Sequence, residues 1–297
     1  MKKLGLATAL LLAMTGAHAY QVEVQGQSEF VDTTTNDKDF TGAVKGTVYL
    51  KNVDASKGPL AEAAFLNQAS NVSAAYSFAK LSGKEIDTVK NNSFGVQGEV
   101  YLPTPVVPVY ASAAYNHSQT KEDGDKDNGD RYGLEVGAMV LPNFLVAVGY
   151  TRVADQVVLD TNKVLENGVF SAVADSLTIG DKKDVVTART KYVGGIDGTN
   201  MALGFETGLV YGENKAYGLK TDLYLNPQLS VGASYAEANF SKNPLSENFS
   251  PIKSAWGANV NYFITPAIAV GASYVNANAV NGNVDTQTIG LNAKFRY

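Results

Sequence analysis

The sequence predicts an all-β protein whose strands close into a transmembrane antiparallel barrel of the outer-membrane type, with about 14 strands. Three observations predict it: short segments of alternating apolar and polar residues, tight turns that contain proline, and an export leader at the N-terminus. Hydropathy alone does not separate a membrane barrel from a soluble protein. The mean hydropathy of -0.10 suits either, because lipid-facing and lumen-facing residues alternate and cancel in a barrel.

The first 19 residues have the pattern of a secretory signal peptide. Lys2 and Lys3 precede an apolar run from Leu4 to Met14, and the small residues Ala17 and Ala19 stand at the cleavage positions. The apolar run is too short to be an anchor, since a spanning helix needs about 20 residues. We therefore expect a signal peptide at 1–19 and a single barrel domain at 20–297, exported to the outer membrane.

Composition excludes several functional classes. The chain has no cysteine, so disulfides, thiolate metal sites and a lipoprotein attachment site are ruled out. The net charge of -5 argues against nucleic acid as a partner, because phosphate recognition needs a basic surface. The 28 glycines and 16 tyrosines favour strands and tight turns over helices. No cofactor is expected.

A repeated turn unit organises the second half of the chain. Pro227 is followed eight residues later by Tyr235, and Pro266 has the same relation to Tyr274. The unit recurs at Pro142 and, more loosely, at 103–105. Short proline turns between alternating segments are typical of hairpins.

Longer polar stretches separate these hairpins. An alternation of short turns and longer loops is typical of outer-membrane barrels, in which the short turns are periplasmic. An even strand number then places both termini on the periplasmic side. The predicted strands are 20–31, 40–51, 71–80, 92–102, 107–118, 130–141, 143–156, 184–193, 200–211, 214–225, 228–239, 252–263, 267–278 and 284–297.

Two connections are unusually long. The 52–70 segment is a long periplasmic connection whose AEAAFLNQ stretch has helical composition. It either narrows the lower mouth of the barrel or forms a surface turn. The 157–183 segment is the longest external loop.

The last strand sets which face meets lipid. If Tyr297 faces lipid, then Phe295 and Leu291 do so too, whereas Arg296 and Lys294 face the lumen. The same alternation applied to the other strands assigns charged residues to the inner face. The lumen-facing candidates are Lys45, Lys51, Glu99, Arg131, Glu135, Arg189, Lys191, Glu206, Lys220, Asp222, Lys294 and Arg296. A soluble β-sandwich with one solvated face would show the same alternation, but it seldom has so many strands of membrane-spanning length.

The sequence offers little support for catalysis. His117 is the only histidine after the leader, and no nucleophile is marked beside it. Asp123 to Asn128 resembles the start of a calcium loop, but Asn128 replaces its glycine and Leu134 its bidentate glutamate. We expect neither an enzyme nor a metal site, although an acidic external loop could hold divalent ions weakly.

Several long strings resemble the putative porin family of Acinetobacter outer membranes, which includes a porin and water channel with a mass in the low thirties of kilodaltons. The strings are MKKLGLATALLLAMTG at the start, KNVDASKGPLAEAAFLNQAS at 51–70, KYVGGIDGTNMA at 191–202, WGANVNYFITP at 256–266 and the closing TIGLNAKFRY. The resemblance covers nearly the whole chain. It implies a constricted barrel of 14 strands that passes water and small hydrophilic molecules, and it transfers no catalytic residues.

These observations predict a porin that allows passive diffusion through a narrow lumen of mixed charge. Its expected partners are outer-membrane lipid, water and small polar solutes. The alternative is a surface interaction protein, an adhesin that contacts host surface proteins or a structural barrel. In that case the 52–70 and 157–183 segments would block the lumen.

Overall fold

The computed structural model describes residues 19–33, 36–81, 88–122, 124–154, 160–164, 169–176, 183–241, 251–280 and 285–297. Fourteen antiparallel strands form one closed barrel in which each strand pairs with its neighbours in sequence and β1 pairs with β14. The prediction of an outer-membrane type barrel with 14 strands is confirmed. The signal peptide predicted at 1–19 lies, except for Ala19, outside the described residues.

The strands are β1 (Ala19–Thr33), β2 (Asn36–Asp54), β3 (Asn71–Leu81), β4 (Val89–Leu102), β5 (Val109–Glu122), β6 (Asp125–Leu141), β7 (Phe144–Ala154), β8 (Lys183–Gly195), β9 (Ala202–Tyr211), β10 (Lys215–Tyr224), β11 (Leu229–Asn239), β12 (Ile252–Thr265), β13 (Ile268–Ala279) and β14 (Asp285–Arg296). Several exceed the roughly 10 residues that a tilted strand needs to cross a bilayer. The hairpin of β5 and β6 therefore extends well past the membrane.

Alternation explains the two faces of the wall. Large apolar side chains such as Leu50, Leu134 and Leu209 are more than half exposed on the outer face. Their sequence neighbours point inward, because side chains of a strand alternate between its faces. The charged inner candidates and the exposed apolar residues thus fall on opposite sides of the wall.

The two ends of the barrel differ. At one end, the turn end, the connections have two to six residues apart from 55–70, and Ala19 and Tyr297 also lie there. At the opposite end, the loop end, β1–β2 and β5–β6 are joined by two residues each and β9–β10 by three, whereas the other connections have five to 28 residues. The carbonyl of Tyr297 accepts hydrogen bonds from the backbone amides of Gln21 (2.8 Å) and Val22 (2.7 Å), so the chain ends are part of the closed ladder.

Two connections fold into the barrel, one from each end. The turn-end insertion, residues 55–70, contains a 3-10 turn at Leu60–Glu62 and the helix α1 (Ala63–Leu66). The loop-end insertion lies in the connection between β7 and β8, and its described parts include α2 (Thr161–Val164) and α3 (Val169–Ser176). In the part of the chain that the structure describes, no helix is long and apolar enough to span a membrane.

Candidate channel lumen

Between the two insertions the barrel encloses a cavity of about 380 Å³. Its walls include both insertions, through Phe65 at the turn end and Phe170 at the loop end. Of the 12 residues that the sequence analysis assigns to the lumen, the cavity is lined by Lys45, Glu99, Arg131, Glu135, Arg189, Lys191, Glu206, Lys220, Asp222, Lys294 and Arg296. Lys51 is exposed and is not part of this lining.

One charge network crosses the middle of the lumen. The Arg189 guanidinium makes a bidentate contact with Glu135, with Nη2 2.7 Å and Nε 3.0 Å from Oε1. The Tyr110 hydroxyl lies 3.0 Å from Arg189 Nη2 and donates to Glu99 Oε1 at 3.1 Å. Glu206 completes the network at 3.7 Å from Arg189. Three carboxylates and one guanidinium give the network a net negative charge, which other basic residues of the lining, such as Lys191 and Lys220, offset.

A second network joins the two ends of the chain. The Glu23 carboxylate accepts from Arg296 Nε at 2.7 Å and contacts Lys294 Nζ at 3.1 Å. The Arg296 guanidinium is also 4.4 Å from the Tyr20 ring centroid and 4.6 Å from that of Phe263. Arg296 is buried, and its planar group is well suited to this combination of ion pair and ring stacking.

The turn-end insertion packs against the inner wall on several sides. Leu60 lies in an apolar cluster with Phe263 and Ala269, near β12 and β13. On the opposite side, Phe65 packs with residues that include Tyr110 and Met139 of β5 and β6. Since these strands face one another across the barrel, the insertion crosses the turn end of the lumen. The structure therefore does not place the 52–70 connection as a surface turn.

Polar contacts brace the turn-end insertion. Glu62 contacts Lys191 Nζ at 2.9 Å and accepts from the Tyr224 hydroxyl at 2.8 Å. The Leu60 amide donates to the Pro227 carbonyl, and Arg296 Nη1 donates to the Leu60 carbonyl, both at 2.8 Å. These bonds tie the insertion to β8, β10 and β14.

The charge state of Glu62 depends on these contacts. Burial alone would raise the pKa of the Glu62 carboxyl, but the ammonium of Lys191 and the hydrogen bonds from Lys191 and Tyr224 outweigh it. The pKa is lowered as a result. Glu62 is therefore anionic at neutral pH and holds the insertion as an ion-pair partner.

The loop-end insertion makes mostly apolar contacts on one side of the barrel. Val169 and Val173 of α3 are buried in a cluster with alanines that include Ala236 of β11 and Ala255 of β12. The Phe170 ring occupies the space above Gly208 and Gly218, and a Cβ at Gly218 would lie 2.6 Å from it. The helix α3 thus packs on small alanine and glycine residues of the inner wall.

A polar anchor holds the other side of this insertion. The Thr161 amide donates to Asn116 Oδ1 at 3.0 Å, and the Asn162 side chain accepts from Ser73 at 3.0 Å. Lys45 donates to the Asn162 carbonyl at 3.3 Å. Within the described residues, Thr161 Oγ1 and the amide nitrogens of Asn116 and Asn162 are buried without a hydrogen-bond partner. Each such group costs about 1–3 kcal/mol, so the anchor is only partly satisfied.

Several residues that line the cavity are not among the predicted lumen-facing candidates. By strand alternation Glu23 of β1 faces inward, and the register of β1 with β14 pairs it with Arg296. Glu62, Asp160 and Lys163 lie on the insertions, where strand alternation gives no information. The signal for the loop-end helix was present in the sequence as VFSAVA, an apolar run inside a polar loop.

His117 lies on the outer face, away from the cavity. Its Nδ1 is 2.9 Å from the Asp130 carboxylate, and both side chains are about two-fifths exposed. The Tyr115 hydroxyl donates to the same carboxylate at 2.7 Å. Across the described ranges, no cluster of three or more histidine or carboxylate side chains could hold a metal ion; Asp123 of the calcium-like stretch lies outside them.

Comparisons with known proteins agree with this architecture. The model of a family described as "putative general bacterial porin" matches residues 1–297. The chain is similar to the crystal structure of the Acinetobacter baumannii outer membrane protein Omp33, with 51% identity and a TM-score of 0.66 over 94% of this chain and 99% of that one. A Pseudomonas aeruginosa FadL homologue shares the fold alone, with 7% identity and a TM-score of 0.56 over 96% and 92% of the two chains. No curated protein matches the sequence.

Proposed function

The chain belongs to the family of "putative general bacterial porins", and on that premise we propose that it conducts water and small hydrophilic solutes passively across the outer membrane. Family and fold establish a channel of the outer membrane. The observation that carries the finer proposal is the polar cavity between the insertions. A cavity whose wall carries charged side chains from many strands can take the place of the hydration shell of a small polar solute.

We place the turn end toward the periplasm and the loop end toward the cell exterior. Short periplasmic turns and longer external loops are the rule for bacterial barrels of this kind. On this orientation the leader would be removed at the periplasmic side, and the turn-end insertion would close the periplasmic mouth.

The proposed lumen has weak ion selectivity. Eight basic and seven acidic residues line the cavity, and most are paired with one another, as at Arg189 with Glu135 and Lys191 with Glu62. Because basic and acidic residues nearly balance over the lumen as a whole, a cation and an anion of equal size should encounter similar barriers.

The proposed channel is narrow and gated. Both insertions lie within the lumen, and 14 strands enclose a smaller area than the 16 to 18 strands of wide porins. A solute larger than a few heavy atoms must displace at least one insertion to pass. We therefore expect selection by size.

Reconstituted protein tests the proposal. Proteoliposomes should show faster osmotic water flow than protein-free liposomes in stopped-flow light scattering. They should swell faster in glycerol than in a disaccharide. A heat-unfolded sample treated identically serves as the control. Water and glycerol fluxes equal to those of protein-free liposomes would overturn the proposal.

The alternative function is a surface interaction protein with a blocked lumen. The observation that favours it is that insertions from both ends occupy the lumen. A variant without the loop-end insertion discriminates the two functions. For an adhesin, binding to host surface proteins falls and wild-type flux is nil; for a channel, the wild type already conducts water.

A further inference from the structure

Four lysines form one continuous row on the outer face of the barrel, at the loop end. The strand registers pair Lys80 with Lys90, Lys90 with Lys121, and Lys121 with Lys126, across β3 to β6. Each lies on the same face as exposed apolar residues of its strand, such as Tyr76 on β3 and Phe94 on β4. With strands spaced about 4.8 Å apart, the row spans roughly 14 Å.

Such a row is unfavourable on its own. Like charges directly opposite on neighbouring strands repel, and a sheet normally avoids them. None of the ion pairs between described residues involves these four lysines; the eight pairs resolved engage other residues, such as Arg152 with Asp184. Three successive like-charge pairs make this row a site at which a bound anion would relieve repulsion.

The rows beneath the lysines change in chemistry step by step toward the middle of the barrel. The next outward-facing row consists of Phe78, Asn92, Gln119 and Asn128, three of them amides. Below it lie Tyr76, Phe94, His117 and Asp130, and then Ala74, Val96, Tyr115 and Tyr132. The lysine row is thus followed by an amide-rich row, then by two aromatic side chains beside the His117–Asp130 pair, and then by two aliphatic residues beside two tyrosines.

The strands that follow β6 have a different pattern at the loop end. On the outer face of β7 to β11, tyrosine hydroxyls donate to carboxylates: Tyr150 to Asp184 at 2.6 Å, and Tyr217 and Tyr235 to Glu237 at 2.7 and 2.9 Å. The face with the lysine row has one such contact, between Tyr115 and Asp130 at 2.7 Å, two rows below the lysines. Four lysines in one register row are therefore a local feature of β3 to β6.

We propose that this face, Lys80, Lys90, Lys121 and Lys126 with the rows beneath them, binds the phosphorylated headgroup of an outer-leaflet glycolipid. Phosphate oxygens accept from the ammonium groups, and the amide row hydrogen-bonds the sugar and its amide-linked chains. The aromatic side chains of the third and fourth rows lie at the interface, as aromatic residues of membrane proteins do. The acyl chains pack on the next row, which consists of Val72, Gly98, Ala113 and Leu134. The inference uses the orientation proposed above and is independent of solute passage.

The test measures binding of diphosphoryl lipid A to the detergent-solubilised full-length barrel by native mass spectrometry. The triple variant Lys80→Gln, Lys90→Gln, Lys121→Gln is compared with a matched triple, Lys57→Gln, Lys215→Gln, Lys253→Gln, at exposed positions elsewhere. Each lysine near an anionic lipid contributes roughly fivefold in affinity, so the first triple should bind roughly a hundredfold more weakly. The matched triple should bind as the wild type does.

Further measurements separate the contributions of lysine charge, lipid phosphate and free phosphate to binding. Replacing the same three lysines by arginine should retain affinity, and dephosphorylated lipid A should bind the wild type as weakly as diphosphoryl lipid A binds the glutamine triple. Heat-modified mobility on gels verifies that each variant is a folded barrel. An equal loss in both triples, equal binding of the dephosphorylated lipid, or full competition by inorganic phosphate would each overturn the proposal. Failure here leaves water and glycerol flux unchanged, so the channel function is tested separately.

Discussion

The two insertions occupy one lumen but are held by different forces. The turn-end insertion combines apolar packing with charged and backbone hydrogen bonds to several strands. The loop-end insertion rests an apolar helix on alanine and glycine at one wall and has a partly satisfied polar anchor at the other. A contact that lacks directional bonds is lost more readily by local opening. From this difference we expect the turn-end insertion to limit flux, and the loop-end insertion to detach more readily.

The largest effect is expected from removing the static constriction. Replacing residues 51–69 by Asn-Gly would leave Leu50 and Ser70, which are already hydrogen-bonded at 2.8 Å, joined by a two-residue hairpin turn. Glycerol flux in proteoliposomes should rise by about an order of magnitude, because conduction follows the narrowest section. Removing residues 160–176 should change flux far less. A larger flux increase from removing residues 160–176 than from replacing residues 51–69 would contradict the assignment of the constriction to the turn end.

A point substitution at Glu62 should give the next largest effect. Glu62→Gln keeps an acceptor for Tyr224 but leaves Lys191 without its carboxylate partner, which costs about 1–3 kcal/mol of docking free energy. Flux should rise severalfold, measured by liposome swelling. Glu237→Gln, on the outer face of β11, is the matched control and should behave as the wild type.

The same carboxylate gives a pH dependence of defined sign. Because the pKa of Glu62 is lowered by Lys191 and Tyr224, its ion pair stabilises the docked insertion at and above the usual carboxyl pKa of about 4.3. That stabilisation is lost as the pH falls through the lowered pKa. Wild-type flux should therefore be flat from neutral pH down to about pH 5 and rise below pH 4. The Glu62→Gln variant should lack the part of the acid-induced flux increase that Glu62 causes. Equal flux increases below pH 4 in the two proteins would exclude Glu62 as the cause.

Loosening the loop end should have a smaller effect on flux. Phe170→Ala removes a half-buried ring from the space above Gly208 and Gly218, at a cost of about 2 kcal/mol to docking of α3. Hydrogen exchange at Val169–Ser176 should accelerate by roughly thirtyfold, whereas glycerol flux should less than double. Gly218→Ala should displace the same ring. The double variant Phe170→Ala, Gly218→Ala should accelerate hydrogen exchange no more than the single variant with the larger effect.

The smallest effect is expected outside both insertions. His117→Ala removes an exposed partner of Asp130, and such pairs contribute about 0.2–1 kcal/mol. Water and glycerol flux should match the wild type. If the wild type had a lipase activity and this variant lacked it, the protein would have an enzymatic function in addition to any channel function.

The barrel was predictable because its signals are local. Alternation along each strand and proline turns such as Pro227 and Pro266 specify strand number and facing without knowledge of distant contacts. Eleven of the 12 lumen candidates line the cavity for the same reason, since parity within a strand fixes the side on which a side chain lies. By the same alternation Lys51 lies on the inward-facing side of β2, but it is near the end of the strand and its side chain is exposed.

The insertions were not predictable in the same way. Nothing in the local sequence around Gly208 and Gly218 predicts that Phe170 from another part of the chain packs on them, as it does in the folded protein. The 52–70 segment has helical composition, but its position depends on contacts with Pro227, Tyr224 and Arg296, far along the chain. Strand periodicity carries no information on either of these.

The Arg296 side chain links closure of the barrel to the filling of its lumen. Its guanidinium bonds Glu23 across the seam between β1 and β14 and also the Leu60 carbonyl of the turn-end insertion. One buried side chain therefore holds both the closed wall and an element inside it. Loosening either contact would weaken the other, so the seam and the insertion are stabilised together.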